Sequence, residues 1–505
     1  MTWSNLSDFP PLSVDIDLSR LQQDWLMKCL LRNQDTDFGR SYRFSSILSI
    51  VDYQNQVPIC DYASLNPWIQ EMAEGTQDIL FAGKTVAFEL TSGSTSAQKL
   101  IPYSVESLGD FRRALWPWLI SLPQRFGINS GTAYWAISPA TRRPRETTGG
   151  ISIGLPDSAY LGPDLSEFFL QVSAVPFWVA DVQEFEQWQL ATLYFLVCSS
   201  ELSLISVWSP TFLSMLLDAL VERKSQLEQA LINGLRIHRY ELVADPAARQ
   251  RLKVYYQTRN PKKLWPNLKL ISCWADASSR PYYQDLKSRF DKVQFQPKGL
   301  MSTEAVLTVP DFRNRTLLTP QSGFYEFIDE DGKIHLAHEL HVGREYQVIL
   351  TTAGGLYRYR SGDRVRCHDY VSTLPQLEFI GRTQTSDLAG EKLNEAFVNL
   401  CLDGIKGFCM LLPLKDNPGY CLLLDEADDC SNICEHVEQA LCRNPHYAYA
   451  RKLGQLQPLK ILKLDNPTRF YLNQTLQRGA RLGDIKLPSL CLDASLFTDH
   501  LQRAV

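Results

Sequence analysis

The feature that most restricts how this chain can fold is an alternation of strand-like and helix-like segments running from Gly83 to Gly299. "GKTVAFEL", "GTAYWAIS", "LSLISVW", "LKLISCWAD" and "KVQFQPKG" are short β-prone runs. Between them stand longer helical patterns, among them "SVESLGDFRRALWPWLISL", "SPTFLSMLLDALVER" and "SRPYYQDLKSRF". Strands that alternate with helices in this way must be joined by crossovers, which implies an α/β domain with a largely parallel sheet. Ser104 is placed to cap the first of these helices, Pro117 is expected to kink or break it, and Pro210 opens the next.

The texture changes after Gly299. "GFYEFIDEDGKIHLAH" predicts a hairpin turning at Asp-Glu-Asp-Gly, and "EYQVILT", "GLYRYR", "DRVRCHDY" and "PQLEFIG" predict further short strands of a β-rich subdomain. Helices return with "EKLNEAFVNLCL", opened by Glu391 and Lys392, and "NICEHVEQALCR"; "FCMLLPL" and "YCLLLDE" are strands between them. The expected organisation is therefore a large domain over 1–382, a polar hinge over 383–388 and a small, mobile α+β domain over 389–505.

Composition excludes several classes. Apolar residues make up 45% of the 505 positions, enough for a substantial core and too many for a disordered chain. Net charge is −5 with both signs interspersed, so there is no basic stripe for a nucleic acid. The most apolar stretch, Leu190–Trp208, is interrupted by Ser199, Ser200 and Glu201, which argues against a membrane span. Twelve scattered cysteines without a CxxC pair, and an N-terminus without a signal pattern, suit a reduced, cytoplasmic protein. "HLAHELH" spaces its histidines so that they cannot share one face of a strand, and is not expected to bind metal. No feature specifies an oligomeric state.

Five stretches carry chemistry. "TSGSTSAQK" (Thr91–Lys99) follows a strand and crowds hydroxyls, one glycine and a lysine together. Such a loop can donate to phosphate oxygens, with Lys99 as a compact cation; it can equally be a solvated surface loop. It is not a Walker loop, because Gln98 and Leu100 flank the lysine. "KGLMSTEA" (Lys298–Ala305) offers Ser302 and Thr303 as donors and Glu304 as an oxygen ligand for magnesium. "LYRYRSGDRV" places Asp363 at a Gly-Asp turn, where its carboxylate suits the two hydroxyls of a ribose or caps the turn locally. "FIGRTQTSDLAGEK" contains Arg382 just before the hinge, and "RGARLGDIKLP" presents Lys486 near the end of the small domain. In addition, Arg112, Arg113, Trp116 and Tyr134 are candidates to orient and wall an acyl substrate, or are simply core and surface residues; "TTGGISIGLP" is expected at the mouth of that pocket.

Taken in order, "TSGSTSAQK", "LMSTE", "YRSGD" and "GRTQTSDLAGEK" resemble the motifs of the acyl-adenylate-forming superfamily. More closely, the chain resembles the Gretchen Hagen 3 type acyl acid amido synthetases, the auxin-responsive promoter family, and most of all its bacterial branch. The resemblance implies the fold of a large adenylate-forming domain with a rotating C-terminal domain. It implies a ligase that uses ATP and Mg2+ to convert a carboxylic acid to an acyl-adenylate, then joins the acyl group to an amino acid or other amine. By the same resemblance Ser92, Gly93, Ser94, Thr95, Lys99, Ser302 and Arg382 contact the nucleotide, and Trp274, Ala275 and Asp276 line the adenine. Thr303 meets the α-phosphate, Glu304 the metal and Asp363 the ribose, while Lys486 visits the cleft as a catalytic cation. Two positions depart from the pattern: Leu300 replaces an aromatic residue before "STE", and Ser96 stands where many members carry glycine. An acyl-CoA ligase or carrier-loading enzyme is the alternative reaction, and a non-catalytic nucleotide-binding homologue the alternative class.

Overall fold

The computed structural model describes the chain apart from residues 1–2, 4–12, 92–98, 136–144, 156, 238, 384, 406, 416, 427–431, 479, 481, 499 and 502–505. The alternating region builds a four-stranded sheet in the order Gln294–Pro297, Leu270–Cys273, Leu202–Ser206, Thr132–Trp135, and every neighbouring pair is parallel. The two central strands are buried along their whole length. Parallel strands read as continuous buried runs because their crossover helices cover both faces. Helices Phe185–Cys198, Pro210–Glu222 and Arg280–Ser288 belong to these crossovers, and Pro210 stands at the start of the second. The register aligns Trp135, Ser206, Ser272 and Gln296 in one row across the sheet, near its C-terminal edge.

Helix Val105–Phe126 starts where Ser104 predicts. The Ser104 hydroxyl accepts from the Ser107 N–H at 3.0 Å, and Ser107 Oγ accepts from the Ser104 N–H at 2.9 Å, a reciprocal capping box. Of the kink or break expected at Pro117, the break does not occur: the helix continues through Pro117 and Pro123 to Phe126, with Gly127 as its C-cap. An interior proline costs about 3 kcal/mol, but Ala114, Leu115, Trp118, Leu119, Leu122 and Phe126 are buried along this helix. Each large apolar side chain so buried contributes roughly 1.5–3 kcal/mol, so packing outweighs the lost hydrogen bond.

The β-rich region is one seven-stranded antiparallel sheet. Its hairpin Phe324–Ile328/Ile334–Leu336 lies where the sequence predicts. "GLYRYR" and "DRVRCHDY" are not two strands joined by a turn. A single strand, Tyr359–Val371, carries the whole Tyr-Arg-Ser-Gly-Asp motif. Gly362 adopts φ +84°, and the pairing with Glu345–Thr351 slips at this point, leaving Ser361–Asp363 opposite Val348. The motif is thus a bulge rather than a turn, and a bulge re-aims the side chains that follow it.

The Ser/Thr loop also differs from expectation. Strand Ala87–Leu90 does not run on into a helix but pairs antiparallel with Leu100–Tyr103, so the loop joins two strands of a hairpin. Thr91 N–H donates to the Lys99 carbonyl at 3.1 Å and closes its base. Strand Ser152–Ile153 of "TTGGISIGLP" pairs beside Phe88, and Gly149 packs on the Glu74–Gly75 backbone so closely that a Cβ there would lie 2.4 Å from it.

The C-terminal segment is a three-stranded sheet (Cys409–Leu414, Gly419–Asp425, Lys460–Leu464) with helices Ile433–Leu441, Pro445–Lys452 and Pro467–Gln477. Its Phe408, Leu412, Leu462, Tyr471 and Leu487 join the same apolar cluster as residues of the parallel sheet. Glu391 does not open a helix. It is fully buried and accepts from the Leu388 and Ala389 N–H groups and from the Tyr420 hydroxyl, pinning the segment around Leu388 to the small sheet. The helix begins at Glu395, capped by Asn394, whose side chain accepts from the Phe397 N–H.

Candidate active site

"STE" sits at the tip of a tight turn. A bridge pairs Met301 with Val306, and the Ser302 N–H donates to the Ala305 carbonyl at 2.9 Å. The Ser302 hydroxyl is engaged within this turn, with Ala305 O at 3.2 Å and Ala305 N at 3.3 Å. Thr303 and Glu304 are left half-buried at the tip. The Tyr103 hydroxyl donates to the Thr303 carbonyl at 2.6 Å, tying the tip to the end of the Ser/Thr hairpin. Thr303, Glu304, Tyr103, Phe111 and Gly354 line a cavity of about 30 Å³. A larger concavity, about 470 Å³, lies against His335 and His341, and none of the motif residues line it.

Tyr359 connects the motifs. It is fully buried, and its hydroxyl accepts from Lys99 Nζ at 3.1 Å. Lys99 Nζ also lies 5.5 Å from the Tyr62 ring centroid and 5.8 Å from that of Tyr359, so two aromatic faces and a phenol oxygen hold it. Burial, then the Glu304 and Asp363 carboxylates, push the Tyr359 hydroxyl above its ordinary range. Both acids therefore stand close to the residue that anchors Lys99.

Asp363 is buried, and its Oδ1 accepts from Arg382 Nε at 3.2 Å. Among the described residues nothing donates to its second oxygen. Asp363 first, then Glu304 and Glu395, favour the charged form of Arg382. Lys486 enters the same neighbourhood from the small domain. Its Nζ lies 4.4 Å from the Trp274 ring centroid and 5.5 Å from that of Phe379. Burial, helped by Arg382, pushes the Lys486 ammonium below its ordinary range, opposed by Asp363, Glu395 and Glu304. Burial likewise raises the Glu395 carboxyl, against the Ser489 N–H, Arg382 and Lys486, which favour its charged form. Glu304, Asp363, Arg382, Glu395 and Lys486, from separate segments, thus influence one another's charge.

Trp274 follows the strand Leu270–Cys273, and its N–H donates to the Trp208 carbonyl at 2.8 Å. Asp276, two residues on, is pushed up to about 6 by burial and by Glu378, while Arg280 opposes the shift. Trp274, Ala275 and Asp276 together form a half-buried shelf beside Lys486. Of the acyl candidates, Arg112, Arg113 and Trp116 lie on the helix Val105–Phe126 and Tyr134 on the parallel sheet. Arg113 is exposed and ion-paired with Asp110, and Arg112 packs on Gly162. Trp116 borders the cluster around Trp118, and Tyr134 is fully buried within the parallel sheet. Ser92, Gly93, Ser94 and Thr95 lie outside the described residues.

Sequence reasoning missed Tyr359, Tyr62, Glu395 and Phe379. Tyr359 stands inside the quoted "YRSGD" and was legible as its first residue. Phe379 opens the quoted "FIGRTQTSDLAGEK" and was legible in the same way, whereas Tyr62 and Glu395 lie outside every quoted motif.

Residues 14–295 match the GH3 family N-terminal domain, 316–382 the GH3 family central domain and 394–495 the GH3 family C-terminal domain. The chain belongs to the GH3 family. Among curated relatives, it is 21% identical over 541 residues to the jasmonoyl–L-amino acid synthetase GH3.5 of Oryza sativa subsp. japonica, covering 94% of this chain and 92% of that protein. It is 23% identical over 562 residues to the probable indole-3-acetic acid-amido synthetase GH3.1 of Arabidopsis thaliana, covering 96% and 91%. Its fold matches that of the GH3.15 acyl acid amido synthetase with a TM-score of 0.83 at 18% identity, over 99% of this chain and 95% of the other. A 2-hydroxyisobutyryl-CoA ligase in the postadenylation state shares the fold more distantly, with a TM-score of 0.57 at 12% identity over 96% and 91%. The chain is thus a GH3-type member of the adenylate-forming fold, with the mixed α/β body and C-terminal domain that the sequence implied. No helix among the described residues is long and apolar enough to cross a membrane.

Proposed function

We propose that this GH3 family protein is an ATP-dependent acyl acid amido synthetase: it adenylates a small carboxylic acid, then transfers the acyl group to an amino acid or other amine. The observation that carries this reading is the convergence of Glu304, Asp363, Arg382 and Lys486, from four separate segments, around the Lys99–Tyr359 pair.

The residues present fit a nucleotide. The free oxygen of Asp363, held in place by Arg382, suits ribose hydroxyls, and the Trp274–Asp276 shelf offers a flat apolar surface and an acceptor for a base. Lys99, Arg382 and Lys486 supply positive charge where phosphate oxygens would lie. Among the described residues no group of three or more acidic, histidine or cysteine side chains could hold a metal by itself. Glu304 would be the protein's ligand for Mg2+, an ion that keeps several waters and binds through one or two carboxylates plus substrate phosphates. When bound, the ion would neutralise phosphate charge during displacement at phosphorus.

The reaction needs orientation and charge neutralisation more than covalent help from the protein. The acid's carboxylate oxygen attacks the α-phosphorus, the bond to pyrophosphate breaks, and the mixed anhydride has a good leaving group where the carboxylate had none. In this reading Lys486 stabilises negative charge in that step, and Thr303 donates to the α-phosphate region. The amine then attacks the acyl carbon and AMP leaves with the electron pair. The experiment is ATP–pyrophosphate exchange with a panel of aromatic and alkyl acids, followed by addition of amino acids. Acid-dependent exchange and amide formation are expected. A thioester formed only when CoA is supplied would replace the amine with a thiol acceptor, and absence of exchange with every acid would favour a non-catalytic homologue.

A further inference from the structure

Lys298 is a buried lysine that ends on a hydroxyl and two tryptophan rings. It follows the strand Gln294–Pro297 and is 3% exposed. Its Nζ donates to Ser206 Oγ at 2.6 Å and lies 4.7 Å from the Trp118 ring centroid and 5.0 Å from that of Trp208. Among the described residues no carboxylate pairs with it. The titratable group that faces it is the Cys273 thiol, which burial pushes up to about 12 and so keeps neutral.

The surroundings are polar in a way that packing does not explain. Trp135, Ser206, Ser272 and Gln296 occupy one row of the parallel sheet, and directly registered parallel neighbours project to the same face. Gln296 is satisfied, accepting from Trp118 Nε1 at 2.8 Å and contacting Asn314 at 3.1 Å. Ser272 Oγ and Trp135 Nε1 are buried and have no hydrogen-bond partner among the described residues. Buried donors left unmade, beside a buried charge left unpaired, are unfavourable unless something else completes them. The location indicates what that is. Trp208 packs against Trp274 with centroids 5.9 Å apart, and Trp274 carries Lys486 on its ring. Lys298 therefore lies one aromatic pair away from the charge cluster and five residues before Thr303. Trp208 is only half-buried, so solvent reaches its side of the row.

We propose that Lys298, with Ser206, Ser272 and Trp135, receives a second acidic group on the acyl substrate, remote from the carboxylate that is activated. The substrate class is then an acid with a distal carboxylate. One ammonium matches one carboxylate in charge, whereas a distal phosphate would bring a second negative charge with no cation to meet it. The inference rests on the adenylation reading above and narrows it.

The test compares pairs of acids: straight-chain α,ω-dicarboxylates against monoacids of the same chain length, and 4-carboxyphenylacetate against phenylacetate. Binding is measured by calorimetry, and activation by ATP–pyrophosphate exchange, in the wild-type chain and in Lys298→Met and Ser272→Ala. The wild type is expected to prefer at least one dicarboxylate over its monoacid partner. Lys298→Met should lower that selectivity ratio roughly 10- to 100-fold, the range for losing one charged hydrogen bond, and Ser272→Ala should lower it a few-fold. A wild type that prefers no dicarboxylate, or a Lys298→Met variant that loses both members of each pair equally, would overturn the inference. The two readings fail separately. Exchange with monoacids but without distal preference leaves adenylation intact; Lys298-dependent dicarboxylate binding without exchange removes adenylation and keeps the receptor.

Discussion

Asp363 spends one oxygen on Arg382 and keeps the other within a bulge that Gly362 makes possible. Asp363→Ala removes the ribose partner and leaves Arg382 without its first counter-charge. Losing a buried charged partner costs roughly 2–5 kcal/mol, so the ATP dependence of exchange should weaken by that amount; unchanged ATP kinetics would remove the ribose role. Lys298 gives the opposite kind of prediction. Burial lowers its ammonium to about 7, against an ordinary 10.5. Between those values the unfolded chain holds a proton that the folded chain does not, so folding stability rises with pH across that window. Below about pH 7 the full penalty of burying the charge is present. Lys298→Met should therefore stabilise the protein by a few kcal/mol, on the order of the shift, most at pH 6 and progressively less towards pH 10. Thermal unfolding across that range measures it, and a variant less stable than wild type at pH 6 would contradict the assignment. At this scale the sequence displayed Lys99, Glu304, Asp363 and Lys486 because each lies in a recognisable local pattern. It concealed Tyr62, Glu395 and the charge state of Lys298, which depend on neighbours far along the chain.

At the level of elements, the strongest joint is the one that holds "YRSGD" in place. Arg358 and Glu326 are both almost fully buried and form a two-pronged ion pair, with Nε–Oε2 and Nη2–Oε1 each 2.9 Å. Arg358 Nη1 also donates to the carbonyls of Gln54 and Val57, and Gln54 Nε2 to Glu326 Oε1. The hairpin strand Phe324–Ile328, the helix Ile50–Gln56 and the motif strand are thereby locked together. Glu326→Ala would strand a buried guanidinium, and a loss of about 3–5 kcal/mol is expected in urea unfolding; a loss below about 1 kcal/mol would mean that water reaches the site. Most elements were legible because periodicity and caps are local: Ser104, Pro210 and the hairpin at Asp-Glu-Asp-Gly lie where they were expected. The misses share one cause. Pro117 did not end its helix, Gly362 did not end its strand and Glu391 did not start a helix, because tertiary packing, sheet pairing and a buried carboxylate clamp each outweighed the local signal.

For the whole molecule, the decisive arrangement is the small domain resting on the parallel sheet, with Lys486 against Trp274. Lys486→Ala should slow adenylation, read as pyrophosphate exchange, while leaving aminolysis of a supplied acyl-adenylate nearly unchanged. Equal loss in both half-reactions would argue against a position visited in only one of them. The Tyr420 hydroxyl donates to Glu391, tying the segment just before the C-terminal domain to its sheet. The amino-acid sequence by itself determined the class of fold, the order of the motifs and the family, because alternation, caps and short motifs are properties of neighbouring residues. Only the tertiary structure decided that Tyr359 joins Lys99 to two acids, that Arg113 faces solvent and that Lys298 is a cation among tryptophans. Those outcomes are set by burial and by contacts between distant segments, and neither quantity exists until the chain has closed on itself.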